Sequence, residues 1–535
     1  MIQRVIEQLR GRTHDEKKAL ETVRETSLRE AREAFADYDR FVVDAKAVKG
    51  GLLLGTGKPS TGESVDIRLP WDDEYCHWLV QGGTGTGKTT WITSLLRQEL
   101  ARGRPAGVID CKGDLFESVL RTAAAGSRSL AAENRERVRQ RLVIVNPFSD
   151  QLVPLNVCRL LRGVTPEVQA YEMTLAFSRL FDVSLGLHME NILRHLFILL
   201  TEAELSLVEA PLVLQDEVLR GILAHQSSHP AVKEFFLGVY STVPQASKDA
   251  LLNRLQSLLL PENVRLMLGA DALLDLGDVL DRGDPLLVFL GKGPGVPEEQ
   301  VEVLGGLFLQ LLFQATYARG SGQGRPYLLV IDEFVHLLNS PALARRFETA
   351  LTTTRSFGLS LMLIHHNFAQ LPPALRETAL ANTDLMALFR TSGRNAQYFG
   401  DFLPESDPEF ADARHASSED SRRQQLESLQ RLPNRQCYWY DRRKSYRALR
   451  LRVPDVSSAH ESAGLSKSGL DRVIREEGWN AGGAALSRTE LRSQIEDRRK
   501  RLADLVTPKI RVSRPPTGPA ESSSKPTGKR RPKLG

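Results

Sequence analysis

The feature that most constrains the fold is a glycine-rich loop at residues 82–89. Its sequence, GGTGTGKT, satisfies the eight-position phosphate-binding loop pattern GxxxxGK[ST]. The apolar run 76–81 precedes the loop, and a helical pattern follows it through Leu100. A strand before the loop and a helix after it are what this pattern requires, so the sequence predicts an α/β sheet with a phosphate site at one edge.

Each position of the loop has an expected part in binding a nucleotide. The glycines let backbone N–H groups face the β-phosphate, and the start of the helix adds a favourable dipole. We expect Lys88 to contact the β- and γ-phosphates and the hydroxyl of Thr89 to ligate Mg²⁺. ATP and Mg²⁺ are therefore the predicted cofactors, and a chance glycine-rich turn is the alternative. The predicted nucleotide-binding residues are Gly82, Gly83, Thr84, Gly85, Thr86, Gly87, Lys88, Thr89 and Thr90.

Short apolar runs separated by helical patterns recur along the chain. Such runs are typical of strands in a mostly parallel sheet that helices cover on both faces. From about 165 to 276 only helical patterns occur, and strand-like runs resume afterwards, so an all-helical insertion is predicted to interrupt the sheet. The predicted strands after the loop lie at 106–110, 141–145, 285–290, 327–331, 359–364, 385–389 and 436–453.

Composition and periodicity divide the chain into six predicted segments. They are a charged N-terminal helix (1–46), the first part of the core with the phosphate loop (47–164), the helical insertion (165–276), the second part of the core (277–455), a C-terminal helical segment (456–505) and a disordered tail (506–535). The tail holds eight basic residues and one acidic residue, and the net charge of the whole chain is +5. It is either a polyanion-binding arm or a solvated terminus.

Cysteine usage and hydropathy point to a cytoplasmic protein. The four cysteines stand far apart without a C-x-x-C pair, which favours neither a zinc site nor a disulfide framework. The charged N-terminal run lacks the apolar segment of a signal peptide. The most apolar stretches, near 191–200 and 304–313, are shorter than the roughly 20 residues that cross a bilayer, so no integral membrane segment is expected.

A carboxylate pair ends the predicted strand at 327–331. Asp332 and Glu333 follow this apolar run directly. In a phosphate-loop enzyme, Asp332 would hold Mg²⁺ and Glu333 would polarise the attacking water as general base. The alternative is an ordinary strand-to-loop junction in which a carboxylate caps a helix.

Taken together, these segments resemble the TraG/TraD-type coupling proteins of conjugative and type IV secretion systems, within the FtsK/HerA superfamily of ring-forming DNA pumps. The resemblance implies a RecA-like P-loop core carrying an all-helical insertion. It rests on blocks spread over residues 48 to 455, in the family's order. Besides the phosphate loop and the Asp332-Glu333 strand, these blocks are His77–Gly82, Ile109-Asp110-Cys-Lys112-Gly-Asp114 (close to the family's Asp-Pro-Lys-Gly), Asn146-Pro-Phe, Pro154-Leu-Asn156, Thr354–Gly358 and His365-His366-Asn367.

The resemblance implies further catalytic residues. Arg355 matches the arginine that, in this family, reaches the γ-phosphate across a subunit boundary, with Arg390 as its rival and a surface ion pair as the alternative. His366, or its neighbour His365, stands at the position of the γ-phosphate sensor, where the family commonly has glutamine. The predicted catalytic residues are thus Lys88, Glu333, Arg355 and His366, and the predicted metal ligands are Thr89 and Asp332.

Two departures from the family pattern stand out. Cys111 replaces the usual proline, and a charged N-terminal segment replaces membrane-spanning helices. The resulting prediction is an ATP-hydrolysing DNA translocase that forms a homo-hexamer in the cytoplasm. The alternatives are an ATP-gated assembly protein of a DNA-processing or phage-defence complex, with a separate effector or relaxosome-type partner, and a secretion ATPase that moves protein. The residues leave the DNA form and the direction of movement undecided.

Overall fold

The fold is taken from a computed structural model of the chain. It describes residues 50–57, 64–127, 139–180, 186–293, 295–338, 341–403, 418–443, 448–454, 466–479 and 484–507. The predicted N-terminal helix over 1–46 and nearly all of the predicted basic tail lie outside these residues. The segment boundaries proposed from the sequence therefore remain predictions.

One sheet of eleven strands organises the described part of the chain. Its order is β2-β1-β12-β11-β10-β3-β9-β8-β4-β7-β5, and β6 and β13 form a separate antiparallel pair. The strands are β1 Leu52–Gly57, β2 Val65–Leu69, β3 Trp78–Gln81, β4 Ala106–Asp110, β5 Val143–Val145, β6 Gln151–Leu152, β7 Leu286–Phe289, β8 Tyr327–Asp332, β9 Leu359–His365, β10 Leu385–Phe389, β11 Gln436–Asp441, β12 Leu449–Arg452 and β13 Leu486–Ser487.

The sheet is parallel on one side of β10 and antiparallel on the other. Every neighbouring pair from β10 through β3, β9, β8, β4 and β7 to β5 is parallel. The pairs from β10 out to β2 are antiparallel. The predicted mostly parallel α/β fold is confirmed, because seven consecutive strands place their carboxyl ends at one edge.

Helices cover both faces of the sheet and fill the stretch between β6 and β7. They are α1 Lys88–Ala101, α2 Asp114–Ser127, α3 Pro166–Leu180, α4 Leu187–Glu202, α5 Ala210–Gln215, α6 Glu217–Gln226, α7 Pro230–Glu234, α8 Tyr240–Thr242, α9 Gln245–Leu259, α10 Glu262–Leu268, α11 Leu276–Arg282, α12 Glu298–Ala318, α13 Pro341–Thr353, α14 Pro373–Asn382, α15 Gly393–Ala396, α16 Ser418–Arg431, α17 Lys467–Glu476 and α18 Arg488–Val506.

Alternation along the strands builds two apolar cores, one on each face. In β3, Trp78 and Val80 pack with Trp91 of α1, whereas Leu79 joins the core on the opposite face. Successive side chains of a strand point to opposite sides, so a strand that is buried on both faces must be apolar at every position. This requirement explains why the parallel strands were recognisable as continuous apolar runs.

Helix α12 is the longest of the described helices and belongs to the core. It is the one helix in the described ranges that is long and apolar enough to span a membrane, and 83% of its apolar window is buried inside the protein. Leu307, Leu311 and Phe313 contribute to the core on the Leu79 face. The helix therefore has the packing of a central core helix.

The C-terminal helix α18 packs against the helices that lie between β6 and β7. Arg498, which is 1% exposed, forms ion pairs with Glu209 and Asp271 and donates to the hydroxyl of Ser206. Gln494, one turn earlier, accepts from the backbone N–H of Asp271 at 2.9 Å. The described residues of the predicted C-terminal helical segment include the helices α17 and α18 and the short strand β13.

Candidate functional site

The glycine-rich loop lies between β3 and α1, at the carboxyl edge of the parallel strands. Its backbone is hydrogen-bonded to the ends of β9 and β10. The N–H of Gly82 donates to the carbonyl of His365 at 3.3 Å, and the N–H of Gly83 donates to the carbonyl of Arg390 at 2.7 Å. The carbonyl of Thr86 accepts from the N–H of Arg435 at 2.8 Å. The loop is therefore held by three neighbouring segments.

The loop requires glycine for two different reasons. Gly85 and Gly87 have φ values of 74° and 103°, a left-handed conformation that residues with a side chain rarely adopt. Gly82 instead lacks room, since a Cβ built on it would lie 2.5 Å from Cβ of Phe389. The turn and its close approach to β10 thus both depend on missing side chains.

Lys88 and the start of α1 form the cationic part of the loop. Nζ of Lys88 donates to the carbonyls of Gly82 and Gly83, at 2.5 and 2.9 Å. The first turn of α1 has no acidic residue and no side-chain cap, so its N–H groups and its dipole favour an anion. Burial lowers the pKa of Lys88, while the nearby Glu333 and Asp332 oppose that change.

Asp332 and Glu333 stand at the carboxyl end of β8, two strands away from β3. Both are buried, with exposures of 7% and 3%. Asp332 lies opposite Asp110 in the β4–β8 register. Burial, together with the carboxylates of Asp110 and Glu333, raises the pKa of Asp332 to about 7, although Lys112 and Lys88 act in the other direction. A buried carboxylate in this position gains from a nearby cation.

The Glu333 carboxylate is surrounded by nitrogen atoms. Nζ of Lys112 donates to Oε1 at 2.6 Å, Nδ1 of His366 lies 2.6 Å from Oε2, and Nδ1 of His365 lies 3.4 Å from Oε2. Burial raises the pKa of Glu333, but His365, Lys112 and His366 outweigh it and hold this pKa well below its usual range. Glu333 is therefore ionised at neutral pH.

The backbone of Glu333 also has an unusual conformation. Its φ of 51° and ψ of 48° are left-handed, which is uncommon for a residue with a side chain. The residue leaves β8 at this point and begins a short 3₁₀ turn over Phe334–Leu337. Such outliers concentrate at functional sites, where the surrounding structure fixes a side-chain direction.

His365 is fixed from its far side. Its Nε2 lies 2.6 Å from the carbonyl of Asn367, so Nε2 carries a proton and donates it. Nδ1 is left facing Glu333, at a distance too long for a strong hydrogen bond, and has no hydrogen-bond partner among the described residues. His365 is fully buried, whereas the side chain of His366 is 34% exposed.

The structure places the two candidate arginines at opposite edges of the sheet. Arg355 precedes β9, where Nη1 forms an ion pair with Asp384 at 2.7 Å. Strand β9 has seven residues, so Arg355 lies about 20 Å from the carboxyl edge that carries its own glycine-rich loop. Arg390 directly follows β10 beside that loop, and its side chain donates to Asn434 at 2.7 Å.

Lys112 also belongs to the site, although its sequence pattern predicted no role for it. It belongs to the block after β4, where the Asp110 carboxylate accepts from the backbone N–H groups of Lys112 and Phe116 at 2.7 and 2.8 Å. Asp110 thereby orders the turn into α2, and the turn aims Lys112 at Glu333. The only sequence signal for this role was the similarity of the block to the family's Asp-Pro-Lys-Gly.

The sheet and its glycine-rich loop have the arrangement of a P-loop fold. The structure resembles VirB4 of Thermoanaerobacter pseudethanolicus, with a TM-score of 0.52 and 14% identity over 76% of this chain and 97% of that one. It also resembles the plasmid coupling protein TrwB in complex with the ATP analogue ADPNP, with a TM-score of 0.50 and 16% identity over 73% of this chain and 88% of that one. At these identities, the likeness establishes the RecA-like P-loop fold.

The sequence around the loop also matches a family model. Residues 63–154 match the model of the type IV secretion-system coupling protein DNA-binding domain. The match covers the first part of the core, including the glycine-rich loop, and agrees with the family resemblance that the sequence blocks indicated. A comparison with proteins of curated function gave no sequence match.

Proposed function

We propose that this chain is an ATP-hydrolysing motor that moves DNA and acts as a ring. The observation that carries the proposal is the placement of the Glu333 carboxylate. It is ionised and held by Lys112 and His366, and it projects from the end of β8 at the edge where the glycine-rich loop enters α1. This is the position from which a carboxylate can accept a proton from water attacking a γ-phosphate.

The residues of the loop fit the triphosphate of ATP. The uncapped start of α1 favours an anion. Among the described residues, Nζ of Lys88 donates to loop carbonyls, which phosphate oxygens can replace. Thr89 and Asp332 would hold Mg²⁺, since a hydroxyl and a buried carboxylate are oxygen ligands of the kind this ion prefers. Mg²⁺ would supply charge neutralisation on the β- and γ-phosphates.

Glu333 and His366 would then act in sequence. Glu333 accepts the proton of the attacking water through the oxygen that His366 now contacts. His366, one-third exposed at the same edge, is free to turn toward the γ-phosphate and hydrogen-bond it, in the sensor role that the family assigns to glutamine. Lys112 stays on the other oxygen and keeps the carboxylate oriented.

The position of Arg355 supports a ring. At the amino edge of β9 it cannot reach the phosphates bound by its own chain, but it is 60% exposed and available to a neighbouring subunit. An arginine supplied in this way stabilises the charge that spreads over the phosphoryl oxygens in the transition state. A homo-hexamer, the ring size of the sequence prediction, is part of the proposal, as is a cytoplasmic setting.

DNA as the transported polymer is supported by the matched domain family, which is described as DNA-binding. The proposal is tested by measuring ATP hydrolysis of the purified chain with and without single- and double-stranded DNA. We expect DNA to stimulate hydrolysis, Lys88→Ala to abolish nucleotide binding and hydrolysis, and Glu333→Gln to abolish hydrolysis while nucleotide binding persists. Lys292→Ala, which removes an exposed lysine from the same edge, serves as the control.

Hydrolysis that is indifferent to any DNA would contradict the translocase. An ATP-gated assembly protein, or an ATPase that moves protein, would then be the better description. Particle mass measured with ATP, alone and with each form of DNA, tests the ring in the same samples. If the chain stays monomeric under all these conditions, the ring and the proposed role of Arg355 in a neighbouring subunit are both contradicted.

A further inference from the structure

The cluster around Glu333 has the composition of a transition-metal site. Its members are Glu333, His365 and His366, each of which offers one ligand atom, and these atoms all lie within 4.8 Å of one another. Two imidazoles and one carboxylate form a ligand set that binds Zn²⁺ in proteins and leaves a fourth position open. Mg²⁺ prefers an all-oxygen, octahedral shell and is a poor competitor for such a set.

The orientation of His365 provides independent support. Its Nε2 donates to the carbonyl of Asn367, which is the arrangement that fixes a metal-ligating histidine with its other nitrogen unprotonated. Nδ1 therefore stabilises the ionised Glu333 only when it carries a cation, either a proton or a metal ion, because in the neutral ring its lone pair would face Oε2. Nδ1 is fully buried and has no hydrogen-bond partner in the described ranges. A cation between the two atoms removes the conflict.

The distances fit an ion at this point. Two ligand atoms at about 2.0–2.1 Å from a tetrahedral Zn²⁺ lie about 3.3–3.4 Å apart. Nδ1 of His365 is 3.4 Å from Oε2 of Glu333. Nδ1 of His366 is 2.6 Å from the same oxygen, a hydrogen-bond distance that must open by less than an ångström, and the partly exposed imidazole can move that far.

We propose that Glu333, His365 and His366 bind a divalent transition-metal ion, with Zn²⁺ as the probe, and that the bound ion inhibits hydrolysis. Lys112 can stay on Oε1 while the ion takes Oε2, so the two cations share one carboxylate. Binding displaces the proton that lies between Nδ1 of His366 and Oε2, and in the neutral imidazole this proton moves to Nε2 of the same ring. The inhibitory effect rests on the proposed function, because it requires Glu333 to be the general base; metal binding itself does not.

Zinc affinity is measured first, with no reference to activity. The full-length chain is freed of metal and titrated with Zn²⁺ in competition with a chromophoric chelator, in the presence of excess Mg²⁺. We expect one Zn²⁺ per chain, with an affinity that falls at least about tenfold in His366→Gln and in His365→Gln. His366→Gln changes a partly exposed side chain and so keeps the test valid even if the buried His365→Gln variant does not fold.

His336→Gln is the matched control. His336 is exposed and only three residues beyond Glu333, yet it is not a member of the cluster, so its removal should leave the zinc affinity unchanged. Absence of zinc binding, or binding that neither cluster variant weakens, would overturn the proposal. A loss in His336→Gln equal to that in His366→Gln would do the same.

Activity then separates this inference from the proposed function. ATP hydrolysis is measured with Zn²⁺ and again after chelation, each variant being compared with its own rate without zinc. Reversible loss of hydrolysis with ATP binding intact supports inhibition through Glu333. Zinc bound at the cluster without loss of hydrolysis would contradict Glu333 as the base and leave the metal site standing. No zinc binding together with an inactive Glu333→Gln would refute the metal site and leave the proposed function standing.

Discussion

Lys112 donates from Nζ to Oε1 of Glu333 across 2.6 Å, although 221 residues separate the two in sequence. They meet because β4 and β8 are parallel neighbours whose carboxyl ends lie at the same edge. The contact is an ion pair in which the carboxylate is 3% exposed and the lysine 41% exposed. One strand therefore supplies the carboxylate, and the next supplies the cation that keeps it ionised.

Removal of this lysine should change the pH dependence of hydrolysis. Lys112 lowers the pKa of Glu333, so in Lys112→Met that pKa rises and the acidic limb of kcat moves to higher pH, by about one pH unit. The measurement is kcat against pH at saturating Mg²⁺ and ATP. Lys292→Met, at an exposed lysine of the same edge, should leave the acidic limb of kcat unchanged. An unchanged acidic limb in Lys112→Met would show that Lys112 does not lower the pKa of Glu333.

Asp332 should make the nucleotide-free fold less stable as the pH rises. Its pKa of about 7 in the folded chain lies above the value of about 3.9 expected when unfolded, so between these values the folded state binds more protons than the unfolded state. The free energy of unfolding therefore falls with rising pH through this window. Asparagine at this position mimics the protonated carboxyl group, so the free energy of unfolding of Asp332→Asn should not show this decrease.

The advantage of Asp332→Asn over the parent chain should grow by roughly 1–3 kcal/mol between about pH 5 and about pH 8. Denaturant unfolding at the two pH values, without nucleotide or Mg²⁺, measures it. Asp150→Asn, at a side chain that is 76% exposed, is the control and should show no such growth. An advantage for Asp332→Asn that is constant or shrinks with pH would contradict the assignment.

Arg355 should complement a defective neighbour. In a mixture of Lys88→Ala and Arg355→Ala chains, some interfaces combine an intact Lys88 with an intact Arg355 from different subunits, so hydrolysis should reappear although each variant alone is inactive. A mixture of Arg355→Ala with the double variant Lys88→Ala/Arg355→Ala offers no such interface and should stay inactive. If the first mixture forms rings but does not hydrolyse ATP, Arg355 is only a surface residue paired with Asp384.

The stability of the Arg355 variant should be nearly that of the parent. The ion pair with Asp384 involves an arginine that is 60% exposed, and pairs of this kind contribute about 0–1 kcal/mol. Thermal unfolding of Arg355→Ala checks this expectation. A much larger loss would mean that its inactivity reports on folding.

Arg498 should be essential for stability rather than for hydrolysis. It is 1% exposed and neutralises Glu209, which is fully buried, so Arg498→Met leaves an uncompensated charge inside the protein. Breaking a buried pair in this way costs roughly 3–5 kcal/mol. Arg499→Met makes the same substitution at the exposed neighbouring position and should change the free energy of unfolding by less than about 0.5 kcal/mol. Equal effects of the two variants would contradict the buried pair.

The parallel strands were predictable because burial on both faces leaves little choice of residue. The run Tyr327–Ile331 is apolar at every position, and the structure extends its strand by one residue to Asp332. The antiparallel strand β2 was not predicted: its sequence, VDIRL, has no continuous apolar run, and its pairing depends on β1. Strands whose stability comes from a partner give only a weak local signal.

The candidate site likewise has a part that the sequence predicted and a part that it did not. The loop and the carboxylate pair occupy consecutive positions, so their patterns were visible in the sequence. The contacts of Glu333 with Lys112 and His366 join separate strand ends, and no local pattern encodes such distances. Arg498 and its partner Glu209 likewise lie far apart in sequence. Side-chain contacts of this kind follow from strand order, which had to be determined from the structure.

The attachment of the glycine-rich loop has a mechanical consequence. A loop bonded only within itself could shift without disturbing its surroundings, but Gly83 and Thr86 are bonded to the backbones of Arg390 and Arg435. These residues mark the end of β10 and the start of β11, where the sheet turns antiparallel. A displacement of the loop on phosphate binding would therefore act directly on the backbone at the border between the parallel and the antiparallel parts of the sheet.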